Sequence, residues 1–198
     1  MSHYFDEQPL TRPEPRTVDV DVGDVAFTLM TDRGVFSHGA LDTGTRLLLT
    51  KAPPPPASGD LADIGCGSGA IALAMALRSP AARVWAVDVN ERARDLTTLN
   101  AERNGASNIC VVGPDGVPTA VGLDAIWSNP PIRIGKQALH ELLTRWLARL
   151  TAEGTATLVV QRNLGADSLH GWLQGAGWPT QRLASSKGFR LLSVQPDR

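Results

Sequence analysis

From Leu61 onward the chain alternates short apolar runs with longer stretches whose apolar residues recur at helical spacing, and this rhythm constrains the fold most strongly. Runs near residues 61–64, 83–87, 109–112, 123–127 and 155–160 read as strands, separated by helices near 69–78, 91–104, 136–150 and 166–175. Consecutive strands separated by a helix pair in parallel through a crossover. The expected class is therefore α/β, with a largely parallel sheet under helices.

The ends of the chain add local detail. Val18, Val20 and Val22 alternate with acidic residues, Gly23-Asp24 interrupts, and Val25, Phe27 and Leu29 alternate again, a pattern that predicts a β-hairpin. A helix is expected over 43–51, closed by the stiff run Pro53-Pro54-Pro55-Pro56, which reads as a loop. In the 136–150 helix, Leu139, Leu142, Leu143, Trp146, Leu147 and Leu150 form a core stripe, and Glu141 and Arg145 stand at i,i+4 spacing. Segments 182–185 and 189–194, joined by Ser186-Lys187-Gly188, suggest a closing antiparallel pair. One domain is expected over 1–198, with 1–60 as lead-in and 61–198 as core.

Composition narrows the function classes. No stretch is long and apolar enough for a membrane span, and Met1–Arg16 has neither an export nor an organelle pattern, so a cytoplasmic protein is expected. Cys66 and Cys110 with four scattered histidines offer neither a disulfide framework nor metal-ligand spacing, and no metal is expected. His38 reads as a loop residue. The net charge of −1 conceals an asymmetry: residues 1–127 carry 10 Lys/Arg and 16 Asp/Glu, whereas residues 128–198 carry 9 and 4. A basic second half suits an anionic partner such as RNA, with Arg133, Lys136, Arg145, Arg149, Arg162, Arg182, Lys187 and Arg190 as candidates.

Four strand ends carry candidate ligand residues. Asp63-Ile64-Gly65-Cys66-Gly67-Ser68-Gly69 is a strand running into a glycine turn and then a helix, where glycines permit close approach of a ligand. Residues 65–70 also satisfy a loose dinucleotide fingerprint. A carboxylate at Asp63, expected at the mouth of the loop, would repel a pyrophosphate and attract the ammonium of a phosphate-free cofactor, which favours S-adenosylmethionine (SAM) over NAD. Asp88, 21 positions after Gly67 and followed by Val89, is placed to accept from ribose hydroxyls. Asp115, with Gly116 in the turn after the 109–112 strand, is a candidate for the adenine amine or a simple turn carboxylate.

At the fourth strand end stands Asn129-Pro130-Pro131-Ile132. The prolines fix their own φ and push the preceding residues into extended conformations, holding Asn129 rigidly. Its amide oxygen and a neighbouring carbonyl can together accept from one planar NH2 group. Neither titrates near neutrality, so such a clamp works by orientation and by stabilising charge on nitrogen. Trp127, beside the clamp, is a candidate for the pocket wall.

These landmarks resemble the class I SAM-dependent methyltransferases, and among them the RsmC-type small-subunit ribosomal RNA guanine-N2 methyltransferases. The resemblance runs through Gly34-Val35-Phe36-Ser37, Leu41-Asp42-Thr43-Gly44-Thr45, the glycine loop, Ser128-Asn129-Pro130-Pro131-Ile132-Arg133 and Lys187-Gly188-Phe189-Arg190. It implies a Rossmann-like sheet of seven strands with one antiparallel, helices on both faces, Gly65 and Gly67 lining the methionine part of SAM, Asp88 on the ribose, and Asn129 on the target amine. It also implies ribosomal RNA or a ribosomal subunit as partner. The chain departs from the pattern in two ways: 198 residues leave no room for the second, degenerate domain of longer relatives, and Ile132 stands where a stacking Tyr or Phe is common. Three functions stay open from the residues: N-methylation of a base amine, N-methylation of a protein glutamine amide, and a non-catalytic SAM- or RNA-binding module.

Overall fold

A computed structural model of the chain describes residues 14–35 and 39–196; Phe36, Ser37 and His38 lie outside the described residues. The chain opens with the hairpin β1 (Arg16–Asp21) and β2 (Ala26–Thr31), followed by α1 (Thr43–Lys51). The alternating part runs β3 (Ser58–Ile64), α2 (Ala70–Arg78), β4 (Ala81–Val87), α3 (Glu91–Arg103), β5 (Ile109–Val112) and β6 (Leu123–Ser128). It continues through α4 (Lys136–Leu147), β7 (Leu150–Gln161), α5 (Ala166–Gly175), β8 (Thr180–Ser186) and β9 (Phe189–Val194).

The seven-stranded sheet has the order β5-β4-β3-β6-β7-β9-β8, with parallel pairing from β5 through β7 and β9 antiparallel to both neighbours. The expected α/β class and its single antiparallel strand are both present. Sequence order reverses direction between β3 and β6, so the crevice beyond their carboxyl ends is the natural ligand position in an open sheet. Two apolar layers cover the faces. One joins α1 and α2 to the sheet through Leu48, Leu49, Leu73 and Met75; the other joins α4 and α5 through Leu143, Trp146, Leu147 and Leu173.

Helix α2 shows how local sequence permits this packing. Every residue from Ala70 to Ala76 is buried, and four of those seven are alanines, so the helix axis lies close to the sheet. Its start at Gly69 lacks a side-chain cap, and the Asp63 carboxyl group takes that role by accepting from the Ala72 N–H at 3.0 Å.

Two expectations for the 136–150 segment differ from the structure. The helix stops at Leu147 and Leu150 opens β7, a 12-residue strand that starts well before the expected residue 155. The cause is an irregular pairing: the β6–β7 register shifts between Leu123 and Ala125, and a Cβ at Gly154 would stand 2.6 Å from the Leu123 carbonyl oxygen. The pairing of Glu141 with Arg145 is replaced as well. Arg145 donates to the Pro114 carbonyl and to Asp115, while Glu141 accepts from Gln137.

The lead-in is welded to the core by polar side chains. Asn100 on α3 accepts from the Met30 N–H and donates to the Met30 carbonyl, each at 2.8 Å, and Asn104 accepts from the Thr28 N–H at 3.0 Å and donates to the Thr28 carbonyl at 2.8 Å. Each amide thereby imitates a strand residue along the edge of β2, satisfying backbone groups that an edge strand leaves open. Helix α1 buries Leu47, Leu48 and Leu49 in the same apolar layer as α2.

Candidate active site

The carboxyl ends of β3, β4 and β6 meet around a cavity of about 600 Å³, within the range of small-molecule sites. Gly65, Gly67, Asp88, Val89, Asn129, Pro130, Pro131 and Ile132 all line it, bringing together most of the residues expected from the sequence. Val35, Asp42, Pro114, Gln161, Leu164 and Phe189 complete much of the wall.

The glycine loop is held by the strand ends around it. The Gly65 and Cys66 N–H groups both donate to the Val87 carbonyl, at 2.8 and 3.0 Å, while Thr97 and Asn100 on α3 donate to the carbonyls of Gly67 and Ser68. Gly65, Gly67 and Gly69 have φ of 78°, 56° and 85°, a region where other residues are strained. A Cβ on Gly65 would sit 3.9 Å from the Pro131 ring, so loop and clamp share one wall.

Asp88 faces the cavity with its carboxylate already oriented. Its oxygens accept from the Gly67 and Asn90 N–H groups, each at 2.9 Å, and lone pairs remain for ribose hydroxyls. Burial raises its pKa above 3.8, against the lowering effect of those amides and of Arg94. Val89 is 43% exposed and, with Pro114, offers an apolar surface to a planar ring. A carboxylate flanked by apolar walls and a glycine turn fits a nucleoside cofactor.

Asp63 is beneath the loop, where the sequence suggested its mouth. The group is fully buried, one oxygen accepts from Ala72 and the other has no partner, and burial pushes its pKa up to about 8. A largely protonated carboxyl below the loop neither repels a pyrophosphate nor attracts an ammonium. The case against a dinucleotide rests instead on the loop amides. Gly67 donates to Asp88, Gly69 to the Cys66 carbonyl and Ala72 to Asp63, so amides that a pyrophosphate would require are occupied.

Three further expectations are relocated. The Asp115 side chain is 95% exposed, pairs with Arg145 at 2.7 Å, and with Gly116 stands outside the cavity wall, to which only Pro114 of that turn contributes. Its carboxylate tethers the turn to α4. Cys66 lies against Thr97 at 3.5 Å, off the cavity wall, and burial raises its pKa well above 9, which keeps the thiol protonated. Trp127 is in the core under α2, with the Arg78 guanidinium 5.7 Å over its ring.

The clamp is fixed from three sides. Ser128 donates to the Ile64 carbonyl at 2.6 Å, locking the end of β6 to the end of β3. Pro131, at φ −75° and ψ 74°, bends the chain into an inverse γ-turn in which the Ile132 N–H donates to the Pro130 carbonyl at 2.8 Å. The Asn129 NH2 donates to Asp42 at 2.8 Å and to Thr45 at 3.1 Å. A carboxylate can only accept, so the amide nitrogen must face Asp42 and the amide oxygen is turned towards the cavity.

Asp42, Thr45 and Phe189 fall in segments that carry the resemblance, but their roles in the site come from contacts 84 or more residues apart or from strand placement, which no local pattern reveals. Phe189 supplies the aromatic surface that Ile132 lacks. Its ring stands against Gly44, where a Cβ would come within 2.7 Å of it.

Among the described residues no cluster of potential ligands could hold a metal ion, and no helix is long and apolar enough to cross a membrane.

The comparisons with known proteins agree with this architecture. Residues 26–193 match the family model of the methyltransferase small domain. The chain is 36% identical to protein YbxB of Bacillus subtilis (strain 168) over 98% of each chain. It is 37% identical to ribosomal RNA small subunit methyltransferase C of Ectopseudomonas mendocina (strain ymp), over 82% of this chain and 49% of that protein. The chain thus spans about half the length of such relatives. Among solved structures, a T. thermophilus 16S rRNA N2 methyltransferase (RsmC) in complex with AdoMet and guanosine superposes with a TM-score of 0.73 at 21% identity, covering 95% of this chain and 52% of that one. A ribosomal protein L11 methylase from Lactobacillus delbrueckii subsp. bulgaricus superposes with a TM-score of 0.64 at 21% identity, over 80% and 85% of the two chains. The family model and the structure in complex with AdoMet support SAM as the cofactor. With the crevice at the β3–β6 reversal, the glycine turn and the family match over most of its length, this chain belongs to the methyltransferase small domain family.

Proposed function

We propose that the protein transfers a methyl group from SAM to an exocyclic amine of a nucleic-acid base, the guanine N2 of ribosomal RNA. The observation that carries this reading is the orientation of Asn129, whose NH2 is held by Asp42 and Thr45 while its oxygen faces the cavity shared with Gly67 and Asp88. SAM would supply an electrophilic methyl group, its S–CH3 bond breaking as the N–CH3 bond forms and the electron pair returning to sulfur, which leaves as the neutral thioether. Asp88 holds the ribose, and Val89 and Pro114 pack the base of the cofactor. Asn129 Oδ1 and the second lone pair of the Pro130 carbonyl accept from the target NH2, turning the nitrogen lone pair towards the methyl group and stabilising the charge that develops on nitrogen. No group in the clamp titrates near neutrality, so the amine proton leaves to water after methyl transfer.

Two features favour a base as acceptor. Phe189 gives the cavity an aromatic surface on which an extruded base can stack. Arg133 lines the cavity and is exposed, while Arg162 donates its N–H to the Gly188 carbonyl, which sets it beside exposed Lys187 near the same opening. Among the described residues these three side chains have no ion pair, unlike Arg145 and Arg190, which pair with Asp115 and Asp167. The relatives named as ribosomal RNA small subunit methyltransferase C support an RNA acceptor.

The test is to offer the purified protein radiolabelled SAM together with small ribosomal subunits, ribosomal RNA and soluble protein from cells lacking the gene. Label in RNA that comigrates with N2-methylguanosine is the expected result. Label in protein would establish the glutamine-amide alternative, and SAM binding without any transfer would establish a non-catalytic module. Asn129→Ala should lower the transfer rate by about 100-fold or more while changing SAM affinity by less than about tenfold.

A further inference from the structure

Asn129 is symmetric in shape and asymmetric in chemistry: rotating its amide by 180° exchanges an acceptor for a donor at the cavity wall. An amide that presented NH2 to a target amine would repel it. Some feature must therefore select one orientation, and the prolines cannot, since they fix only the backbone.

The geometry points to Asp42, assisted by Thr45, as the positioning residue that sets the donor–acceptor polarity of Asn129. Asp42 Oδ2 accepts two hydrogen bonds, from the Asn129 Nδ2 at 2.8 Å and from the Thr45 N–H at 2.9 Å. The second bond caps α1 and fixes the carboxylate on a helix whose inner face is buried. Thr45 Oγ1 takes the other contact with Asn129 Nδ2 at 3.1 Å, but a hydroxyl can donate or accept and so cannot choose the orientation alone. The carboxylate can. Donation to an anion also polarises the amide and makes Oδ1 a stronger acceptor for the target NH2. Helix α1 thereby holds one end of a relay that starts in the lead-in and ends at the reacting nitrogen. This role rests on the amine-methyltransferase reading above.

The relay can be separated from the helix cap. Asp, Asn and Ser cap helices about equally well, yet only Asp and Asn are long enough to reach Asn129, and only Asp is an obligate acceptor. Asp42→Ser should therefore keep α1 and SAM binding but lower kcat by about 100-fold, with the acceptor KM and the SAM Kd within about threefold. Asp42→Asn, whose amide oxygen the capping Thr45 N–H holds as an acceptor at the position facing Asn129, should recover most of the rate, within about tenfold of wild type. Thr45→Val should cost less than Asp42→Ser. Equal rates for wild type and Asp42→Ser would overturn the inference, as would a rate loss that only tracks lost SAM affinity or a lower melting temperature.

A second readout does not depend on turnover: the side-chain NH2 protons of Asn129 in NMR spectra should be shifted and slow to exchange in the wild type and lose both properties in Asp42→Ser. If the wild type labels no acceptor, the amine reading fails while this signal still decides the relay. An unprotected Asn129 amide in the wild type would overturn it.

Discussion

At Asp63, burial and the Ala72 N–H act in opposite directions on one carboxyl group, and burial wins, raising the pKa from 3.8 to about 8. The folded chain holds this proton over a pH range in which the unfolded chain releases it. Its contribution to stability is therefore fully present below pH 3.8 and declines as pH rises to about 8, by about 1.4 kcal/mol per pH unit. Asp63→Asn should remove this slope. Urea denaturation of both proteins from pH 5 to 8 is expected to show the variant gaining on the wild type as pH rises; a constant difference would show that Asp63 is ionised throughout. Gly44 makes a second test at this scale. Gly44→Ala places a Cβ within 2.7 Å of the Phe189 ring and 3.0 Å from Asp42 Oδ2, so it must displace the ring from the cavity wall and also presses on the carboxylate that holds Asn129, which adds a fall in kcat. The acceptor KM should rise by about tenfold if a stacking contact worth 1–3 kcal/mol is weakened, with SAM affinity unchanged by calorimetry.

The elements themselves were legible from their periodicity, and the contacts between them were not. Strands β4 and β5 and helices α2, α3 and α5 lie within about two residues of their expected ends because apolar runs and glycine turns bound them. β7 was longer than its apolar stretch because its first residues pair across a bulge that only the sheet creates. The hairpin was readable as an alternation, whereas its attachment was hidden in two asparagines of a polar helix. Asn100 makes three hydrogen bonds, two to Met30 and one to the Ser68 carbonyl. Asn100→Ala should cost about 2–3 kcal/mol and accelerate amide hydrogen exchange at Met30 and Thr28. An unchanged exchange rate there would mean that Asn104 and the apolar contacts hold the hairpin without Asn100. At the site, Asn129, Gly65, Gly67 and Asp88 could be placed because each follows a strand on the same sheet edge. Asp42 could not, since its role depends on the N-terminus of α1, a helix packed on β7 and β9, reaching Asn129.

Across the whole molecule, the basic second half divides into two populations. Arg145, Arg149 and Arg190 are committed to Asp115, to the carbonyls of the 117–121 turn and to Asp167, so they hold the fold. Arg133, Lys136, Arg162, Arg182 and Lys187 are exposed and, among the described residues, free of ion pairs. If they meet phosphates, removing any one should weaken RNA binding and flatten the salt dependence of log K by about 0.7–0.9 per contact. Filter binding at several salt concentrations measures that slope, and a slope equal to wild type would remove the residue from the interface. By the same division, three of the eight candidate cations are spent on internal contacts and only the remainder can face a partner. The central claim, that Asn129 directs methyl transfer to the guanine N2 of ribosomal RNA, is tested most directly by mass spectrometry of small-subunit ribosomal RNA nucleosides. Cells lacking the gene should lose part of their N2-methylguanosine and regain it with the wild-type gene but not with Asn129→Ala; an unchanged N2-methylguanosine content without the gene would contradict the account.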